Sequence, residues 1–198
     1  PRSRGLGDVY KRQIRLTVVR VGIIGVGKMG RTHIDALKDV DLGEAVALTD
    51  PAGLPIAGTD LAAEYGLDCE PTIEALASRD DIDAVIVTTP HALHADHTLV
   101  AIQAGKHVLV EKPLELTLEK CDAIIQAAEN AEVKLMVAQS HRYWEGDAVA
   151  KRLHEEGAIG QLLICRDTLA VSGYRRHNPD NCWFTNLDHY GPGGLLAW

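Results

Sequence analysis

The glycines of Gly25-Val26-Gly27-Lys28-Met29-Gly30 are spaced as G-x-G-x-x-G, and Asp50 follows twenty residues after the last of them. In that pattern Gly25 permits a tight turn, Gly27 lets backbone approach a pyrophosphate, and Gly30 lets a helix pack against a strand. The N–H groups that open such a helix face the phosphates. An acid at the spacing of Asp50 accepts hydrogen bonds from ribose hydroxyls and repels a 2′-phosphate. No Lys or Arg lies between Pro51 and Asp60 to attract that phosphate, so NAD is favoured over NADP. Glycine clusters are common in turns, which leaves two competing readings: a structural turn with an exposed Asp50, and the Gly-rich first turn of a methyltransferase.

Two further segments decide against the methyltransferase. Thr88-Thr89-Pro90-His91-Ala92-Leu93-His94 and Glu111-Lys112-Pro113 each follow an apolar, strand-like run, where an open α/β sheet binds its ligands. Pro113 disfavours helix at Lys112 and so holds the lysine in the crevice. Oxidising a secondary alcohol sends a hydride to a nicotinamide while the hydroxyl proton leaves, which requires a base within hydrogen-bond reach of that oxygen. A lysine serves once burial or a nearby cation lowers its pKa. His91, His94 and His97 recur every three residues, but that step turns away from any one point and no cysteine or carboxylate completes a set, so no metal site is expected.

These segments need a scaffold, and the pattern around them supplies one. Residues 18–24 read as a buried strand, the glycine turn opens a helix carrying Ile34 and Leu37, and residues 44–50 read as a second strand. The alternation continues with helices near 60–65 and 73–78, a strand at 83–88, a helix near 93–104 stopped by Gly105, and a strand at 107–110. Thr117 then caps a helix whose apolar stripe is Cys121, Ile124, Ile125 and Ala128, followed by a strand at 134–138. Strict alternation of this kind implies an α/β, doubly wound parallel sheet of Rossmann type. The texture changes after Ser140, with a helix near 146–156 ending at Gly157 and a strand-like run at 160–171; residues 172–194 read as a loop. The expected boundary therefore separates a nucleotide-binding domain, residues 14–140, from the beginning of an α+β substrate and oligomerisation domain, residues 141–198.

Composition sets the outer limits. The 198 residues are 46% hydrophobic and 24% charged, which excludes collagen-like, disordered and disulfide-scaffold classes. Net charge is −8, and the first thirteen residues hold four bases against one acid, so the rest is more acidic still and repels nucleic acid. Cys69, Cys121, Cys165 and Cys182 are widely spaced, matching reduced thiols in a cytoplasmic protein. The longest apolar runs, such as Val85-Ile86-Val87, are strand-sized, and no membrane span is expected. Residues 1–13 lack any initiator methionine or periodicity and read as an adapter-like leader foreign to the fold; the apolar end at Trp198 reads as a truncation.

Taken together, the glycine turn, the Thr-Pro-His segment and Glu111-Lys112-Pro113 resemble the Gfo/Idh/MocA family of oxidoreductases, over roughly residues 18–198. Gln139-Ser140-His141-Arg142-Tyr143, Gly157-Ala158-Ile159-Gly160 and the Gly193-Gly194 turn add family-like order. The resemblance implies that Lys112 lies beside nicotinamide and substrate, that His94 lies near the cofactor, and that the substrate is a sugar or polyol. It implies a homo-oligomer as well. Relatives carry an acid and a histidine after the double glycine; Trp198 stands at the acid's place and the histidine falls beyond it. His141, Arg142 and Tyr143 are candidates to face substrate, with a salt-bridged Arg142 as the alternative. His97 is expected to be an ordinary helix residue. Arg175 and Arg176 read as a solvated pair, with an anion clamp as the alternative. A non-catalytic NAD(H)-binding regulator is the rival to the enzyme.

Overall fold

The computed structural model describes residues 17–51, 55–166 and 168. Six strands form one parallel sheet: β1 (Val19–Ile24), β2 (Gly43–Thr49), β3 (Asp68–Cys69), β4 (Ala84–Val87), β5 (His107–Val110) and β6 (Leu135–Val137). Their order is β3-β2-β1-β4-β5-β6, so the chain runs outward from β1 in one direction and then returns to its other side. That reversal leaves a crevice at the carboxyl ends of β1 and β4.

Between the strands lie α1 (Lys28–Leu37), α2 (Pro55–Tyr65), α3 (Ile73–Ala77), α4 (His94–Gln103) and α5 (Leu118–Asn130), with α6 (Glu145–Glu155) after β6. Strand residues of alternating direction feed two cores. On one face Val21, Ile23, Leu48 and Ile86 pack with Ile34 of α1 and Leu61 of α2. On the other Ile24, Val85, Val87, Val108 and Val110 meet Leu76, Ile102 and Ile124 of α3, α4 and α5. Gly22 has a packing reason: a Cβ there would come within 2.6 Å of Leu76 Cδ2. Thr117 caps α5 as its sequence suggests, accepting from Lys120 N–H, and Thr72 does the same for α3 through Ala75 N–H.

The sheet and helices match the sequence reading in kind and order, with three differences. The two-residue strand β3 was not expected, being too short to carry a pattern. Ile125 is 43% exposed, because the buried side of α5 is centred on Ile124 and Ala128 and Ile125 falls on its flank. The expected strand at 160–171 forms no ladder over residues 161–166, which are exposed; a strand needs a partner, and none adjoins it among the described residues. Gly157 ends α6 with φ +74°. Among the described residues no helix is long and apolar enough to cross a membrane. The leader, Cys182, Arg175, Arg176, Gly193, Gly194 and Trp198 lie outside the described residues.

Candidate nucleotide and proton-transfer site

The glycine turn sits where β1 ends. Gly25 has φ +100°, a conformation that costs an L side chain energy, and its carbonyl oxygen accepts the Thr88 hydroxyl at 2.8 Å. Gly30 packs so closely that a Cβ would lie 2.1 Å from the Gly25 carbonyl oxygen. Gly27 differs: a Cβ there would meet nothing within 4 Å, so it faces open space. The first turn of α1 has no side-chain cap and no acidic residue, and Gly27, Lys28 and Met29 are exposed around it. An uncapped, glycine-approached helix start is chemically fit for a pyrophosphate.

Asp50, at the end of β2, is half-buried, and its Oδ2 accepts the Val26 N–H at 3.0 Å. The acid thus braces the turn it was expected to serve across a bound nucleotide. Pro51 beside it is exposed and uncharged.

At the end of β4, Thr88 bridges to the glycine turn, and Thr89 is buried with its hydroxyl 2.9 Å from His97 Nδ1. His97, expected to be an ordinary helix residue, therefore fixes the Thr-Pro-His segment. His94, which the resemblance implies lies near the cofactor, is fully buried. Its Nδ1 lies 2.7 Å from the Pro113 carbonyl oxygen and its Nε2 lies 2.8 Å from that of Thr89. A neutral ring has one N–H and donates to one of these carbonyls at a time. Burial pushes the His94 pKa down, outweighing the two carbonyls and the nearby Glu115 and Glu111, which favour protonation. His91, also buried, has its ring 5.6 Å from that of His94. Among the described residues no group of three His, Cys, Asp or Glu could hold a metal ion.

The Glu-Lys-Pro segment leaves β5 through a cis Lys112–Pro113 peptide. Glu111 is buried; its Oε1 lies 2.9 Å from His33 Nε2 and its Oε2 accepts the Lys112 N–H at 3.1 Å. Burial pushes the Glu111 pKa up, but His33 and the neighbouring Lys112 outweigh it and hold the carboxyl below its ordinary value. Glu115, buried two residues after Pro113, accepts the Ala95 N–H at the start of α4 at 3.0 Å. Lys112 itself is half-exposed. His33 was not among the sequence candidates; its only signal was a polar side chain three residues after Gly30, beside the buried stripe of α1.

After β6, Ser140–Tyr143 forms one 3-10 turn. His141, Arg142 and Tyr143 are exposed, and His141 stacks on Trp144 with ring centroids 3.8 Å apart. Arg142 forms no ion pair among the described residues, which leaves the salt-bridged alternative without support there.

The comparisons with known proteins agree with this fold. The family model described as "Oxidoreductase family, NAD-binding Rossmann fold" matches residues 19–139. A 2,7-anhydro-N-acetylneuraminate hydratase of Mediterraneibacter gnavus is 30% identical over 168 residues, covering 85% of this chain and 43% of that protein. A glycosyl hydrolase family 109 protein of a Shewanella species is 34% identical over 160 residues, 75% of this chain and 34% of that protein. Among solved structures, the scyllo-inositol dehydrogenase of Lactobacillus casei with bound NAD(H) and scyllo-inositol aligns with a TM-score of 0.65 and 28% identity, covering 73% of this chain and 43% of that one. The chain spans less than half the length of each of these relatives.

Proposed function

The chain belongs to the Gfo/Idh/MocA family of oxidoreductases, with its NAD-binding Rossmann fold, and from that premise we propose that it carries the nucleotide site and one catalytic lysine of a dehydrogenase or reductase acting on a sugar or polyol. The reaction is hydride transfer between nicotinamide and a secondary alcohol or its ketone. Residues 14–140 form the nucleotide domain and residues 141–198 begin the substrate domain.

The observation that carries the reading is the binding together of three distant segments at one end of the sheet. Thr88 joins the glycine turn, His33 joins Glu111, and His94 joins the Thr89 and Pro113 carbonyls. The uncapped start of α1 with Gly27 holds the pyrophosphate, and Asp50 holds the adenine ribose. Val26, Lys28, Met29 and the Thr88–His91 loop line the nucleotide. NAD, when bound, supplies the hydride acceptor. Lys112 then takes or returns the hydroxyl proton, and His141, Arg142 and Tyr143 border the substrate.

The names of the relatives favour a second reading, in which hydration or glycosidic cleavage is the net reaction and the nucleotide is not consumed. Incubating the protein with NAD and a panel of inositols, aldoses and sugar acids separates the two. Net NADH formation supports the dehydrogenase; product without NADH supports the second reading. Absence of NAD binding by calorimetric titration overturns both.

A further inference from the structure

We propose that His97 is a positioning residue for the Thr88–His91 loop, acting through the hydroxyl of Thr89. The inference rests on the reading of that loop as part of the nucleotide site. Thr88 and Thr89 are consecutive, yet their hydroxyls reach opposite elements. That of Thr88 donates to the Gly25 carbonyl beyond β1 at 2.8 Å, and that of Thr89 lies 2.9 Å from Nδ1 of His97 on α4. The Thr88 N–H also donates to the Ile24 carbonyl at 2.8 Å, and the Thr89 carbonyl lies 2.8 Å from His94 Nε2. The loop therefore leaves β4 held by β1 on one flank and by α4 on the other. α4 is a firm anchor, since Ala95, Thr98, Ala101 and Ile102 bury it in the core.

The two histidines stand one helical turn apart and grip Thr89 by different groups, and the grips are not equivalent. A carbonyl only accepts, and the neutral His94 ring has one N–H for the carbonyls of both Thr89 and Pro113, so its hold on Thr89 is divided. A hydroxyl both donates and accepts, so Thr89 pairs with His97 Nδ1 in either ring tautomer. Burial pushes the His97 pKa below its ordinary value, with His94 acting in the same sense, and outweighs Asp96, Glu74 and Asp50; the ring is neutral at neutral pH. Release of the Thr89 side chain frees a loop that a nucleotide must then order, and that cost appears in affinity. A contact that only stabilised the fold would lower the melting temperature and leave the affinity of the folded chain unchanged.

The test is a double-mutant cycle in the 198-residue chain, read by calorimetric titration with NAD at about pH 7.5. His97→Leu and Thr89→Val each weaken NAD by about three- to tenfold, the cost of ordering one released side chain on binding. The double variant stays within about twofold of either single variant, because both changes remove the same bond. His97→Asn, whose amide stands near the place of Nδ1, stays within about twofold of the parent. Hydrogen exchange of the peptide spanning residues 88–93, without nucleotide, reads the release directly: it quickens by about threefold or more in His97→Leu and is parent-like in His97→Asn. Circular dichroism and thermal melting establish that each variant folds. Should His97→Leu fail to fold, Thr89→Val, close to threonine in shape, carries the test alone, and parent-like affinity and exchange in it overturn the proposal. Additive losses in the double variant overturn it too, as does parent-like exchange in His97→Leu or a loss in His97→Asn equal to that in His97→Leu. A parent chain that shows the exchange pattern but binds no NAD leaves the tether standing and strikes the proposed function.

Discussion

The carboxylate of Asp50 accepts the backbone N–H of Val26 at 3.0 Å, so the acid that ends β2 is also a strut of the glycine turn that ends β1. One side chain therefore bears on the shape of the turn and, on the proposed reading, on the choice of nucleotide.

Cofactor choice follows from that contact. Asp50→Asn keeps an oxygen for Val26 and loses the charge, so it weakens NAD while the melting temperature stays close to the parent's. Asp50→Ser with Pro51→Arg loses the strut, weakens NAD and admits NADP, with some loss of stability. Titration of the unaltered chain with both nucleotides checks the assignment, which fails if NADP binds more tightly.

The glycines of the turn separate fold from binding. Gly30→Ala forces a Cβ toward a backbone oxygen that cannot move aside, and costs about 1–3 kcal/mol in urea unfolding. Gly27→Ala adds a methyl to open space at an ordinary φ of −67°, leaving stability nearly unchanged. NAD affinity nevertheless falls by about tenfold, equivalent to about 1.4 kcal/mol, because the methyl occupies the approach to the pyrophosphate. Equal NAD affinity in Gly27→Ala and parent would remove Gly27 from the site.

On the proposed reading of Lys112 as the proton-transfer group, Lys112→Ala lowers kcat by about 10²–10⁴, the range for loss of a positioned acid or base, with a much smaller effect on NAD affinity. Steady-state kinetics with the best substrate of the panel decides this. Near-parent turnover would assign proton transfer to another group.

Burial pushes the His94 and His97 imidazoles below their ordinary pKa of 6.5. Below that pH the unfolded chain binds protons that the folded chain refuses, so the stabilisation is fully present above 6.5 and declines as the pH falls beneath it. The urea midpoint at about pH 5.5 therefore lies below that at about pH 7.5, and His97→Gln narrows the gap. An equal gap in parent and variant would remove His97 from this account. The lowered Glu111 carboxyl acts in the same sense at more acid pH, beneath its ordinary 4.5.

Local pattern made much of this legible. Val21 to Ile24 followed at once by the glycine turn, and Val108 to Val110 followed by Glu111-Lys112-Pro113, announce strand ends that carry chemistry, because apolar runs and glycines act where they stand. What ties the ends together was not legible. His33 meets Glu111 and His97 meets Thr89 only after the chain has folded, and helical periodicity records which residues turn inward, not which polar group each will find. His94 shows the same limit: its partners, the Thr89 and Pro113 carbonyls, come from two segments that only the fold brings together. Ile125 failed for a simpler reason, since a stripe read from apolar residues is wider than the face that α5 buries.

Of the described strands β1, at the centre of the sheet, is synthesised first, and its two neighbours arrive at different times. β2 follows α1 directly, but the opposite edge of β1 has no partner until Ala84–Val87 has emerged. The Thr88 hydroxyl that grips the Gly25 carbonyl comes one residue later still. A nascent chain shorter than this exposes an open strand edge, the feature that chaperones shield and aggregates exploit. It also contains every glycine of the turn without the contact that gives the turn its final shape. The glycine turn is thus an early sequence completed late, and translation must pass Thr88 before the contact that holds it can form.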